Sequence, residues 1–501
     1  MRFAAMHSVV RARLQSLALS FLAVATASEL AWLWSKATSK RVCKKAKLIG
    51  YVTDVEGDFA YWNRYVGLSR VLRRVDGRLE LKDGCHLVFG GDTVDRGTGD
   101  LRFLKELLTL KSAYPDRVHL ILGNRDVNKM RLTAELCDKH WLPDDGAHPG
   151  VYWAPGSTPA AFQQKHGLAE DNRANRLKWM LKENLGSPDA FEFRRVELST
   201  FRSCKPANVS DDEVLESYLQ SVAPYGLMTE YLQQAQLAAI VGDCLFVHGA
   251  CLPRSIGMVP PLNHDETSAL PFSASFAKVE CVHEWVAQLN LFASTQVQQW
   301  IKDPYHWPGA SDRGGEGFFQ RTGGGLLRYG MNDMPEGQPP VPGVVYANYL
   351  VQGNPQDVAP EVEEFVSKGG LRYILTGHQP HGDAPVIMQS AGKKVMAVAA
   401  DTSYAKFTKW LEEDRSALTD PIDNKNTRGL VAFEVCVEET KGVNIHGSLS
   451  DGTMVDFTCH NGSSMQGPGD KVGEWWIKGK LPDGRLVITH AEGFNVTNQL
   501  L

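Results

Sequence analysis

The sequence predicts an α/β fold for most of the chain. From Lys47 onward, short apolar runs alternate with segments whose apolar residues recur at helical spacing, an alternation typical of α/β domains. Several apolar runs end in polar residues, as expected where strands reach the ligand-binding edge of an open sheet. With 501 residues, the chain is long enough to bury at least one large core.

The first predicted strands and helices follow one another in a regular order. Runs such as "KLIGYVTD" and "CHLVFGGD" predict buried strands, and the segments between them carry helical apolar spacing. The predicted order is strand 47–54, helix 59–75, strand 85–92, helix 99–114 and strand 117–124.

Residues 130–235 break this order and are predicted to form a helical insertion or cap over the main domain, 47–410. One helix is expected to begin at Ser210, because Ser210 and Glu213 fit the capping-box pattern. Lys129 and Arg131, at the start of the insertion, would add positive charge near the polar strand ends if they face them. Lysines and arginines on a helix surface usually do not, so a surface position is expected.

Strands return after the predicted insertion. Residues 237–250 predict a hairpin that turns at Gly242 and Asp243, and two more strands are predicted over 371–383 and 394–404. The stretch 302–343 is rich in Gly, Pro and Asp and is predicted to be a long functional or mobile loop.

Residues 428–501 are predicted to form a small β-rich C-terminal unit. "NIHGSLSDGTMVDF" (444–457) and "WIKGKLPDGRLVIT" (476–489) carry Ile, Gly, Leu, Asp-Gly and Val in the same places. Each predicts a hairpin with an Asp-Gly turn.

The first 46 residues are predicted to be a hydrophobic leader or signal anchor. Arginines precede the apolar stretch 14–34, and lysines and arginines follow it. A signal anchor, a signal peptide cleaved after 25–27 and a mitochondrial transit peptide all fit this pattern. The basic C-terminal flank favours the anchor, so membrane association through 14–34 is expected, or a secretory or organellar location if the leader is cleaved.

Composition argues against two classes of function. The formal net charge of -5 provides no basic excess for nucleic acid. The nine cysteines are dispersed without a CxxC pair, which argues against a disulfide framework and a structural zinc site.

Polar residues with metal-binding groups stand at the predicted strand ends. Carboxylate, amide oxygen and imidazole together suit manganese, iron or zinc. A carboxylate in such a set can bridge two metal ions about 3.5–4 Å apart. These residues are Asp54, Glu56, Asp92, Asn124, His248 and His378.

The order of these motifs resembles the calcineurin-like metallophosphoesterase superfamily, in particular its phosphoprotein-phosphatase branch. The motifs are "DVE" (54–56), "GDTVDRG" (91–97), "GNRD" (123–126), "VHG" (247–249) and "GHQPHG" (377–382). The resemblance covers residues 47–404 and implies a β-sandwich flanked by helices, with the helical insertion and the C-terminal β unit added to it.

The resemblance also implies a site with two divalent metal ions, manganese with iron or zinc as alternatives. Asp54 and Asp92 would hold the first ion. The second ion would be held by Asp92, Asn124, His248 and His378. Arg96 would bind the substrate phosphate, because a guanidinium matches phosphate bidentately.

One departure from the family pattern concerns the first metal ion. The family's D-x-H histidine is Glu56 here, a harder anionic ligand that should favour manganese or magnesium. His381 would complete the shell of the first ion, with a surface histidine as the alternative.

The second departure concerns the proton donor. Arg125 replaces the histidine that in the family acts with the second aspartate of GDxxD, here Asp95, to protonate the leaving group. Arginine stays protonated below about pH 12 and cannot act as that acid. Arg125 and Asp95 are expected to form an ion pair, in which Arg125 would bind phosphate and stabilise developing charge.

The resemblance therefore implies a metal-dependent phosphatase that hydrolyses a phosphate ester or anhydride with hydroxide generated at two metals. Its substrate would be a phosphorylated protein or small molecule. The alternative is a pseudophosphatase that binds a phosphorylated ligand or acts as a scaffold, and Glu56 and Arg125 favour it.

Overall fold

The computed structural model describes residues 46–501 except 138–139, 141–149, 155, 169, 171, 263–271, 310–315, 332–339, 383, 403–431, 439, 450–451, 462–466 and 494. The predicted leader, with its apolar stretch 14–34, lies outside the described residues. Within the described part of the chain, no helix combines the length and apolarity needed to cross a bilayer.

The strands and helices are numbered in chain order. The strands are β1 Leu48–Val52, β2 Leu72–Val75, β3 Arg78–Leu81, β4 Cys85–Phe89, β5 Val118–Leu120, β6 Ala238–Val241, β7 Cys244–Val247, β8 Met258–Val259, β9 Ala277–Lys278, β10 Leu350–Val351, β11 Asn354–Pro355, β12 Tyr373–Thr376, β13 Val386–Gln389, β14 Met396–Ala399, β15 Phe433–Glu438, β16 Gly442–Ser448, β17 Met454–Cys459, β18 Lys471–Val472, β19 Trp475–Lys480, β20 Leu486–Glu492 and β21 Asn495–Leu500. The helices are α1 Phe59–Leu68, α2 Asp100–Ala113, α3 Asn124–Asn128, α4 Arg131–Glu135, α5 Pro159–His166, α6 Arg173–Trp179, α7 Ala190–Arg202, α8 Asp211–Ser221, α9 Leu227–Gln234, α10 Val282–Lys302, α11 Gly324–Tyr329 and α12 Pro360–Lys368. A π-helical turn, Met180–Asn184, follows α6, and short 3₁₀ turns occupy Pro206–Asn208, Phe272–Ser275 and Glu316–Phe318.

Two mixed sheets form the centre of the fold. The first has the order β17-β16-β15-β1-β4-β5, and the second has the order β13-β14-β12-β7-β6. Strands β1, β4 and β5 run parallel, as do β7, β12 and β14. Because parallel strands end at the same edge, each sheet gathers the residues that follow its strands at one edge.

Alternating side chains place one apolar cluster between the two sheets. Tyr51 and Val88 of the first sheet share this cluster with Phe246 and Leu375 of the second. The Tyr51 and Phe246 rings lie 5.5 Å apart. The other strand faces join a second cluster together with the helices. The predicted α/β class is confirmed as a two-sheet sandwich flanked by helices.

The predicted helix over 59–75 is too long. Helix α1 ends at Leu68, and Ser69 is extended with ψ of 134°. Beyond this point the Ser69 hydroxyl and the Arg70 backbone N–H both donate to the carboxylate of Glu434. Glu434 of a distant strand thus takes the Arg70 N–H, which a longer helix would need, and 72–75 form β2 instead.

The described residues of the predicted insertion include helices α4 to α9. The predicted capping box is present, because the Ser210 N–H donates to Glu213 and the Glu213 N–H donates to Ser210. The predicted hairpin over 237–250 is the β6–β7 pair, which turns at Gly242 with φ of 61°.

The C-terminal segment contributes to two sheets. Both predicted hairpins are present, as β16–β17 and β19–β20. Strand β15 pairs with β1, so β15 to β17 extend the first sandwich sheet, whereas β18 to β21 form a separate antiparallel sheet. In the predicted loop 302–343, the described residues include α11, and its Leu326 and Leu327 are buried.

Candidate active site

Residues that follow strands of both sheets meet at one edge of the sandwich. Asp54 follows β1, Asp92 follows β4, His248 follows β7 and His378 follows β12. The Asp54 N–H donates to Gly91 O at 2.9 Å, and the Gly377 N–H donates to His248 O at 2.8 Å. These hydrogen bonds join neighbouring loops within each sheet and fix the positions of the side chains above them.

The backbone at this edge adopts an unusual conformation. The φ angles of Asp54, Glu56, Asp92, Asp95 and His378 are 52°, 49°, 57°, 102° and 71°. Such values are uncommon for residues other than glycine, and they cluster at functional sites where the surrounding structure holds the strain. The edge therefore has the backbone geometry of a site rather than of an ordinary set of loops.

Asp92, Asn124, His248 and His378 point their polar atoms towards one another. Asn124 Oδ1 lies 3.1 Å from His248 Nε2 and 3.0 Å from His378 Nδ1. One ligand atom from each of Asp92, His248 and His378 lies within 4.8 Å of the other two. His248 Nδ1 lies 2.8 Å from Gly90 O, and this hydrogen bond directs Nε2 into the group. The residues predicted for the second metal ion are thus brought together.

The protonation states of this group reflect burial and mutual charge. Burial lowers the pKa of His378 to about 3, with the neighbouring His248 as a further cause. Burial also opposes charge on His248, but Asp92 and then Asp54 outweigh it and raise the pKa of His248 to about 10. Asp92 and Asp54 therefore favour a positive charge on His248, whereas burial favours the neutral form of His378.

Asp126 holds the loop that carries Asp92. Its carboxylate accepts hydrogen bonds from the backbone N–H groups of Asp92, Thr93 and Gly123 at 3.0, 2.9 and 2.8 Å. Burial, followed by the charge of Asp92, raises the pKa of Asp126 to about 6. Asp126 is a positioning residue that the sequence prediction did not single out, although it is the last residue of "GNRD".

Asp54 and Glu56, predicted for the first metal ion, have separate partners. The Asp54 carboxylate accepts the His378 N–H at 3.0 Å and the Thr53 hydroxyl at 2.5 Å. Burial and then Asp401 raise the pKa of Asp54. Glu56 Oε1 lies 2.6 Å from Arg125 Nε.

The predicted ion pair between Arg125 and Asp95 is not the main contact of either residue. Arg125 Nη1 lies 3.7 Å from Asp95 Oδ2 but donates to Ser187 Oγ at 2.7 Å. Lys129 Nζ lies 2.6 Å from Asp95 Oδ2. Because Lys129 neutralises Asp95, the Arg125 guanidinium turns its Nε towards Glu56.

The expectation that Lys129 and Arg131 lie on a helix surface is wrong. Lys129 is buried against Asp95, and Arg131 is buried with two hydrogen bonds to the Glu135 carboxylate. Residues four apart share a helix face. The spacing of Arg125 and Lys129 was therefore the signal that could have placed Lys129 at the site.

His381, predicted as a further ligand of the first metal ion, has other neighbours. It is buried, and Lys478 Nζ donates to its backbone carbonyl oxygen. Burial and then Lys478 hold the pKa of His381 well below its usual value. His381 is outside the group formed by Asp92, His248 and His378.

A cavity of about 420 Å³ opens over the group. Arg96 and Arg125 both line it, and Arg96 Nη2 donates to Gly186 O at 3.2 Å while its Nε lies 3.6 Å from Glu56 Oε1. Aromatic walls come from Trp153 and from Tyr346, whose ring lies 4.7 Å from the His378 ring. The sequence prediction missed both aromatic residues, because neither belongs to a recognisable motif.

A second buried group, Glu434, Cys436 and His446, also has metal-binding atoms close together. The Glu434 carboxylate already accepts hydrogen bonds from Tyr65, Ser69 and Arg70, and His446 Nε2 lies 3.2 Å from it. Since these partners satisfy the carboxylate, the group is a structural network that joins β15 and β16 to helix α1.

No family model and no curated protein matches the chain. Among solved structures, a cold-active protein-tyrosine phosphatase of a Shewanella species is 13% identical, covers 82% of this chain and 80% of its own, and has a TM-score of 0.36. A protein serine/threonine phosphatase from Saccharomyces cerevisiae is 12% identical, covers 85% of this chain and 84% of its own, and has a TM-score of 0.33. TM-scores this low do not show a family relationship. The function of this site therefore rests on its own residues.

Proposed function

We propose that this protein is a metal-dependent phosphatase that hydrolyses a phosphate ester or anhydride. The observation that carries the proposal is the convergence of Asp92, Asn124, His248 and His378 below a cavity lined by two guanidinium groups. The four converging side chains suit a cation, and the two guanidinium groups suit a phosphate.

The donor set fits a divalent transition metal. One carboxylate, one amide oxygen and two imidazoles suit manganese, iron or zinc. A bound metal ion of this kind polarises phosphoryl oxygens and lowers the pKa of water. His248 Nδ1 is hydrogen-bonded to Gly90 O, which directs its other nitrogen towards the ion.

Arg96 and Arg125 would bind and orient the substrate phosphate. Arg96 is one-third exposed and Arg125 is nearly buried. A fixed guanidinium can stabilise charge that develops on the transferring phosphoryl group without a change in protonation. Trp153 and Tyr346 would contact the group attached to the phosphate.

The leaving group would receive no proton from Arg125 and Asp95, which stand where the family has its proton-donating pair. Arg125 is a permanent cation, and the Asp95 carboxylate is held by Lys129 and Ser187. Loss of general-acid assistance typically costs about 10²–10⁴ in rate, and it matters least for leaving groups that are weak bases. We therefore expect aryl phosphates and phosphoanhydrides to be better substrates than alkyl phosphates.

The test is hydrolysis by the full chain with manganese, iron or zinc. Nitrophenyl phosphate should exceed a phosphoserine peptide in kcat/KM by at least about 100-fold, and His248→Ala should abolish both activities. Equal kcat/KM values would contradict the leaving-group argument, and absence of turnover with all three metals would contradict the phosphatase proposal.

One observation favours a second candidate, a pseudophosphatase that binds a phosphorylated ligand without turnover. Arg125 Nε lies 2.6 Å from Glu56 Oε1. The family pattern has a metal-binding histidine at the position of Glu56. Under this alternative, nitrophenyl phosphate would bind in calorimetry and remain intact, and Arg96→Ala would weaken its binding.

A further inference from the structure

We propose that the site holds a single divalent cation per chain, and that the guanidinium of Arg125 takes the place of a second one. The cation would lie among Asp92, Asn124, His248 and His378. The inference rests on the proposed phosphatase function and departs from the two-metal site that the sequence resemblance implies.

The position of Arg125 disfavours a second ion. Its Nε lies 2.6 Å from Glu56 Oε1 and 3.5 Å from Asp92 Oδ2. These are two of the carboxylates expected around the first metal ion. The guanidinium therefore already supplies a positive charge between them, and a divalent ion added there would meet a fixed cation.

Arg125 is held in place from several sides. Its backbone N–H donates to Asp92 Oδ1 at 2.9 Å, and its Nη1 donates to Ser187 Oγ at 2.7 Å. Ser187 is buried and in turn donates to Asp95 Oδ2 at 3.0 Å. A buried side chain fixed by several contacts does not swing aside at low cost.

Two of the buried carboxylates at this edge already have cationic partners. Buried carboxylates require a nearby cation or a proton. Lys129 neutralises Asp95, and Arg125 neutralises Glu56. Asp54 is bound by the His378 N–H and the Thr53 hydroxyl. Asp92 is the carboxylate that faces both imidazoles and is placed to bind a divalent ion together with them.

His381 does not restore a site for a second ion. The resemblance offered it as an additional ligand, but in the described part of the chain its ring nitrogens and the carboxylate oxygens of Asp54 and Glu56 do not all lie within 4.8 Å of one another. Its contact with Lys478 is made by its backbone carbonyl oxygen. A second ion would have to share Asp92 and add Asp54 and the already paired Glu56.

The experiment measures metal content and so does not depend on turnover. The full chain is saturated with Mn²⁺, freed of unbound ion and analysed by elemental mass spectrometry and electron paramagnetic resonance. We expect one manganese per chain and the six-line spectrum of an isolated ion. Two ions per chain, or the multiline spectrum of a coupled pair, would overturn the inference and leave the phosphatase proposal standing. No bound ion with manganese, iron or zinc would overturn both.

Two variants locate the ion. Glu56→Gln should retain one manganese per chain, because Glu56 binds Arg125 rather than the ion. His248→Ala should lose the ion, with its fold checked by circular dichroism. Loss of manganese in Glu56→Gln, or its retention in folded His248→Ala, would place the ion elsewhere and refute the assignment.

Discussion

Replacement of Lys129 by methionine should destabilise the protein strongly. The Lys129 and Asp95 side chains are 3% and 0% exposed, and Lys129 Nζ lies 2.6 Å from Asp95 Oδ2. Methionine preserves most of the apolar stem but leaves the Asp95 charge with Ser187 and with an arginine 3.7 Å away. Breaking a buried ion pair by removing one partner typically costs about 3–5 kcal/mol, because an uncompensated charge stays buried.

The assay is equilibrium unfolding in urea of metal-free protein, followed by tryptophan fluorescence. Lys165→Met is the matched control, since Lys165 Nζ lies 3.5 Å from Glu183 and its side chain is 66% exposed. We expect this exposed pair to contribute less than about 1 kcal/mol to the free energy of unfolding.

A double variant separates charge from packing. Asp95→Asn added to Lys129→Met removes the uncompensated charge of the Asp95 carboxylate. The double variant should therefore be at least about 2 kcal/mol more stable than the sum of the two single effects predicts. A cost of Lys129→Met no larger than that of Lys165→Met would refute the ion-pair reasoning. Strict additivity in the double variant would refute it as well.

The remaining predictions concern pH and backbone space. Burial opposes ionisation of Glu434, but hydrogen bonds from His446, Arg70 and Ser69 outweigh it and lower its pKa below the usual 4.5. Ionised Glu434 therefore stabilises the folded protein above that pH, and this contribution is lost as the pH falls through the lower pKa of the folded state. Glu434→Gln should flatten the acid side of a plot of unfolding free energy against pH. An unchanged slope would contradict this. Gly97→Ala should lower the melting temperature, because a Cβ there would lie 2.3 Å from the backbone of Gly57. Gly67→Ala, in helix α1 with open space around it, should instead stabilise by up to about 1 kcal/mol; the reverse ranking in calorimetry would contradict the steric argument.

Sequence reasoning placed the residues at the strand ends correctly because local pattern and sheet geometry suffice for that step. Asp54 and Asp92 follow neighbouring parallel strands of one sheet, and His248 and His378 follow neighbouring parallel strands of the other, so each pair ends at one edge. Their convergence did not require knowledge of any side-chain direction.

The partners of the charged residues could not be obtained in this way. Lys129 pairs with Asp95, and Arg125 pairs with Glu56. Which cation pairs with which carboxylate depends on three-dimensional distances. The end of helix α1 was missed for a similar reason, since Glu434 lies far away in the sequence and takes the donors of Ser69 and Arg70. Long-range partners override local propensity in both cases.

The pairing of β15 with β1 has a consequence for how the protein is made. In this pair Gly50 lies opposite Cys436, and β4 lies on the other side of β1. During synthesis β1 therefore lacks its β15 neighbour until the β15 segment has left the ribosome. An unpaired strand edge on a nascent chain invites association with other chains. Strand β1, which leads to Asp54, gains its second neighbour only late in synthesis. The growing polypeptide would need protection by chaperones until then.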